Sequence, residues 1–108
     1  MSSRFEFASL LAAFALAACA SALPPLPSAA DATRVQARFT GSSVESLREG
    51  RTLYLARCGS CHALRDPSSL PPDAWAGEVR DMRTKKGVRL NLDDEQRITA
   101  YLVAVSSR

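Results

Sequence analysis

Histidine, cysteine, methionine and tryptophan are all scarce in this chain: one, three, two and one in 108 residues. The single imidazole, His62, rules out any site built on two histidines of one chain. No nucleophile–base pair, no pair of catalytic carboxylates and no glycine-rich phosphate loop stands out, so nothing reads as a substrate site. Lys and Arg number 14 against 11 Asp and Glu, a net charge of +3. With no interleaving of basic and aromatic residues, that small excess makes no case for nucleic acid. There is no alternating strand pattern and no internal repeat. The apolar run from Phe7 to Ala18 is shorter than the roughly 20 residues a membrane-spanning helix needs.

What little there is of cysteine and histidine is concentrated in "CGSCH", Cys58 to His62. Four chemistries use such a stretch: a redox dithiol, half of a zinc site, a disulfide hairpin and a c-type haem attachment site. A structural zinc site needs four ligands, and only Cys19, Cys58, Cys61 and His62 are on offer, Cys19 being better explained by export. A thioredoxin-like dithiol needs a βαβ surround, which is missing. The C-x-x-C-H spacing favours haem attachment. On a helical turn residues three apart are neighbours, so Cys58 and Cys61 can each form a thioether to the porphyrin. His62 follows as the proximal iron ligand.

The first residues read as a signal peptide over 1–18, with Arg4 before the apolar run. The run ends in "LAAC", Leu16 to Cys19, which resembles the lipobox of bacterial lipoproteins, where the cysteine is acylated. Ordinary cleavage after Ala20 or Ala22 is the alternative, and would leave a soluble periplasmic protein. Either way the chain is exported. Losing Arg4 and Glu6 leaves 13 Lys and Arg against 10 Asp and Glu. Residues 19–41, rich in Ala, Ser and Pro, read as the lipid-anchor cysteine and a flexible tether.

The folded domain is expected over 42–108, all-α. "SSVE" offers a capping box from Ser42 to Glu45, opening a helix that carries Val44, Leu47, Tyr54 and Leu55 into the CGSCH turn. A proline-broken loop, 63–72, follows. A second helix from about Asp73 places Trp75, Val79 and Met82 on one face and stops at Gly87. A third starts at Asn91 or Asp93 and buries Ile98, Tyr101, Leu102 and Val105. So small a domain has only a few kcal/mol of core stability; a covalent haem c, one per chain, would serve as cofactor and core together.

These features resemble the class I cytochrome c family. "GRTLYLARC" places Gly50 eight residues and Tyr54 four before the first haem cysteine, and "ITAYL" matches the family's last helix. The resemblance implies a fold of three to four helices around one haem, with the first and last helices crossing at Gly50. The pattern of Trp75, Val79 and Met82 before an acidic-start helix resembles, more narrowly, cytochrome subunits of periplasmic dehydrogenases. It implies electron carriage between periplasmic redox partners, a dehydrogenase or oxidase with an acidic docking face, and not an enzyme activity of its own.

The resemblance also implies a sixth iron ligand. Met82 is the only methionine left once the signal is removed, and lies between the haem motif and the last helix; here Arg83 follows it, where many members have a proline. A role as core filler is the alternative for Met82, and Lys85, Lys86 and Asn91 are weaker candidates. The family's proximal histidine donates to a proline carbonyl, which points to Pro71 or Pro67. Trp75 could donate to a haem propionate or simply anchor its helix. Arg80, Arg83, Lys85, Lys86 and Arg89 would rim the haem edge and steer an acidic partner, or form a solvated face. A gas-binding or sensing haem protein, with an open sixth position, is the second functional reading, and a peroxidase a poor third.

Overall fold

A computed structural model describes residues 23–59 and 63–108. The expected signal peptide, Cys19, Cys61 and His62 lie outside the described residues. The rest is all-α: helices α1 (Ala29–Val35), α2 (Val44–Cys58), α3 (Trp75–Thr84) and α4 (Leu92–Ser106), with single 3₁₀ turns at Pro67–Ser69 and Pro72–Ala74. Among the described residues no strand is present, and no helix is long and apolar enough to cross a membrane.

The architecture rests on α2 crossing α4. Leu47, Ile98, Tyr101 and Leu102 are fully buried where the two meet. The expected stripe on α4 is therefore the core stripe, and Val105 belongs to it. Helix α4 starts as its sequence demands: Asn91 is the N-cap, its Oδ1 accepting the Asp94 N–H at 2.7 Å, and Asp93, Asp94 and Glu95 lie in the first turn, where the helix dipole favours negative charge. At the crossing Gly50 has no room for a side chain. A Cβ there would overlap the Arg97 carbonyl and lie 2.9 Å from Tyr101 Cβ.

Two expectations about the beginning of the domain are corrected. Ser43, not Ser42, caps α2. The Ser43 hydroxyl accepts the Ser46 N–H at 3.1 Å, and the Ser46 hydroxyl accepts the Ser43 N–H at 2.9 Å. Ser42 is buried and donates instead to the Phe39 carbonyl at 2.7 Å, closing the preceding turn. Nor are residues 23–41 a flexible tether. Helix α1 forms inside them, capped by Ser28 and Asp31 in a reciprocal capping box. Its Ala32 and Val35 join the core.

What fixes α1 is Asp31. Its side chain is only 1 % exposed, and it receives Arg108 Nη2 at 2.6 Å and Arg34 Nη1 at 2.9 Å. Arg34 also donates to the Ala104 carbonyl at 3.0 Å. The Arg108 guanidinium, with help from Ser28 and Arg34, holds the Asp31 carboxyl well below the usual carboxylate range against the opposing effect of burial. A carboxyl whose folded pKa is depressed stabilises the fold above its unfolded value and loses that contribution as pH falls towards the folded one. Both arginines reach solvent, so the pair lies between an exposed and a buried one in strength. Asp31→Asn should therefore cost about 2 kcal/mol at neutral pH. In melting experiments on wild type and variant the gap should shrink steadily between about pH 5 and pH 2. A gap that stays constant over that range would assign the loss to something other than the charge.

Candidate haem site

Cys58 is the last residue of α2, half-buried, and opens onto a cleft walled by Tyr54, Trp75, Val79, Met82 and Leu102. Burial pushes its thiol pKa up. A neutral sulfur in apolar surroundings suits a structural attachment better than a reactive thiolate. The cleft's far wall is α3. Trp75, Val79 and Met82 recur there at helical spacing, and all three face it, with Met82 half-buried in the last turn of the helix. Arg65 and Glu78 stand at the cleft too, with a 3.5 Å ion pair between them. The sequence reading missed this pair.

Aromatic side chains lock the back of the cleft. Tyr54 meets Trp75 edge-on at 6.5 Å between ring centroids and leans against Tyr101 at 6.4 Å, geometries that add to simple burial. The Tyr54 hydroxyl donates to the Arg65 carbonyl and ties down the loop beyond the haem motif. The phenols of Tyr54 and Tyr101 are both pushed up to about 12, chiefly by burial. Within the loop Asp66 caps the 3₁₀ turn, accepting the Ser68 N–H at 2.9 Å.

Several candidate residues find definite places. The Trp75 indole N–H donates to the Pro67 carbonyl at 3.0 Å in a buried setting. That bond ties Trp75 to the loop beyond the C-x-x-C-H motif and makes it an anchor of α3. The Pro71 carbonyl accepts the Ala74 N–H at 3.0 Å. Both proline carbonyls keep a second lone pair for another donor. Asn91 is committed to capping α4. Lys85 pairs with Asp81 at 3.4 Å, and Lys86 is exposed. The basic group around Met82 is also less free than its sequence suggests. Arg83 pairs with Glu95 across α3 and α4. Among the described residues Arg80, Lys86 and Arg89 have no ion-pair partner. Gly87, at φ +72°, turns the chain after α3, and the Val88 N–H returns to the Met82 carbonyl at 3.0 Å.

Of the haem donors expected from the sequence, the described ones, Cys58 and Met82, are brought to one cleft. Cys58 and the thioether side chain of Met82 line it together, and it is largely apolar and aromatic-backed. No metal-binding cluster of three or more His, Cys, Asp or Glu is present among the described residues. No curated protein and no solved structure matches the chain. A family model does: dihaem cytochrome c, over residues 54–108. The match begins at Tyr54 and takes in the C-x-x-C-H motif, the loop beyond it, α3 and α4. It supports a c-type cytochrome; the narrower class I, single-haem reading is not what the family name carries. Covering half the sequence, and all of the cleft, this match establishes that the chain belongs to the dihaem cytochrome c family.

Proposed function

We propose that this chain is a single-haem electron carrier of the cell envelope, with His62 and Met82 as axial ligands. The observation that carries the reading is the cleft that Cys58 and Met82 line together with Tyr54, Trp75, Val79 and Leu102. Cys58 and Cys61 would hold the haem by thioethers, and His62 would take the proximal position. When bound, the haem supplies a one-electron iron couple. The protein's part is to exclude water with Tyr54, Trp75 and Leu102, and to fix the helix that presents Met82. The match to a cytochrome c family supports the carriage of electrons. Arg80, Lys86 and Arg89 would offer an acidic redox partner a basic approach.

The 108 residues contain one C-x-x-C-H, so we assign one haem to each chain although the family is named for two. Purified holoprotein should keep its colour through acid–acetone extraction and give a haem-stained band on a denaturing gel. Haem absorbance against protein content should give one haem per polypeptide. Loss of colour in acid–acetone would overturn the thioether assignment; two haems per chain would overturn the count.

Met82 sits inside a helix and is followed by Arg83. That favours, as a second reading, an iron with an open sixth position and a role in binding gas. The state of Met82 separates the two readings. Export and acylation of Cys19, which the "LAAC" stretch suggests, would put the carrier on the membrane surface. The absence of Asp after that cysteine resembles outer-membrane lipoproteins.

A further inference from the structure

The segment leading into the domain is bound to it at three successive carbonyls. Arg51 Nε donates to Pro24 at 3.0 Å, the Tyr101 hydroxyl to Pro25 at 2.6 Å, and Arg108 Nη2 to Leu26 at 2.9 Å. These donors come from α2, from α4 and from the residue that ends the chain. Pro24 and Pro27 are buried. Leu23 and Leu26 are not: they are 62 % and 65 % exposed. The two leucines bracket Pro24 and Pro25, three residues apart. A segment held at three carbonyls thus leaves two large apolar side chains exposed among the described residues, where burial would be favoured.

Cys19 stands four residues before Leu23. A chain advances by no more than about 3.6 Å per residue, so Cys19 can lie no more than about 15 Å from Leu23. Acyl chains on Cys19 would enter the bilayer within that distance of the leucines. We propose that Leu23 and Leu26 form a membrane-facing patch that seats in the headgroup region around the Cys19 anchor. The domain is then held against the leaflet in one orientation instead of swinging on a tether. This rests on the lipoprotein reading of Cys19. The orientation is passed directly to the candidate site, because Leu23, Pro24 and Pro25 share a groove of about 340 Å³ with Leu64, Arg65 and Pro67 of the loop after the C-x-x-C-H motif.

The test uses the full, acylated holoprotein in vesicles of phosphatidylethanolamine and phosphatidylglycerol. With Cys19 acylated and Cys58 and Cys61 joined to haem, Leu26→Cys supplies the one free thiol for a spin label, and Lys86→Cys supplies a control position. Mass spectrometry of the wild type and of Cys19→Ala establishes whether the acyl chains are present. At position 26 we expect lipid-soluble oxygen to relax the label more strongly than a water-soluble nickel chelate does, and the reverse at position 86. If Cys19 carries its acyl chains and position 26 still favours the chelate, the docked orientation is wrong while the anchor stands. If position 26 is shielded in native envelopes but wet in vesicles, the patch binds protein and the proposal fails. If Cys19 carries no acyl chain, the lipoprotein reading fails and the proposal falls with it.

Discussion

Replacing Met82 with Ala should convert the protein from one that refuses carbon monoxide to one that binds it. In wild type the ferric form should show the weak far-red charge-transfer band of iron–methionine bonding, and the ferrous form should resist carbon monoxide. Met82→Ala should lose the band and bind the gas, and its reduction potential should fall by on the order of 0.2 V. That is a quarter of the span of about 0.8 V that axial ligands command. The sign follows from sulfur's preference for ferrous iron, which makes Met/His ligation raise the potential. Position supports the assignment. Met82 lines the cleft with Cys58, and none of the rival donors, Lys85, Lys86 and Asn91, does. A variant with unchanged spectra and potential would make Met82 a wall of the cleft only. A wild type that already binds carbon monoxide would favour the gas-binding reading.

Sequence periodicity reveals the parts of this fold that repeat locally. The stripe of Ile98, Tyr101, Leu102 and Val105 follows the 3.6-residue period, and all four residues are buried. The face of Trp75, Val79 and Met82, which lines the cleft together with Leu102 of that stripe, is legible for the same reason. The first helix was not. Residues 23–41 look like a tether because Pro, Ala and Ser dominate them, and composition is blind to partners far along the chain. Their order comes from contacts across long separations: Arg51 with Pro24, Tyr101 with Pro25, and Arg108 with Leu26 and Asp31. Tertiary contacts of this kind override local preference. The Arg65–Glu78 pair was hidden similarly, since one residue sits in a loop and the other on a helix, with no shared period. Ser42 and Ser43 show a finer limit. Either serine could cap α2 by type, and the turn at Phe39 that claims Ser42 decides between them.

Gly50→Ala should destabilise the protein although alanine is the better helix former. Within a helix, exchanging Gly for Ala ordinarily gains about 1 kcal/mol. At Gly50 a Cβ overlaps the Arg97 carbonyl, which is backbone and cannot rotate away, and it lies 2.9 Å from Tyr101 Cβ. The whole of α4 must then shift, and its buried face includes Tyr101 and Leu102, both packed to zero exposure. Overpacking of this kind costs about 1–3 kcal/mol, occasionally more. Gly50→Leu adds a branched side chain to the same clash, and should cost at least about 3 kcal/mol, at the upper end of that range. For so small a domain this lowers the melting temperature by on the order of 15 °C. Gly77 in α3 is the control, because a Cβ there meets nothing within 4 Å. Gly77→Ala should leave the holoprotein as stable as wild type or more so. Thermal melts of the three variants decide the matter. If Gly50→Ala behaves like Gly77→Ala, the backbones of α2 and α4 do not meet at Gly50, and the tightest contact in the fold lies elsewhere.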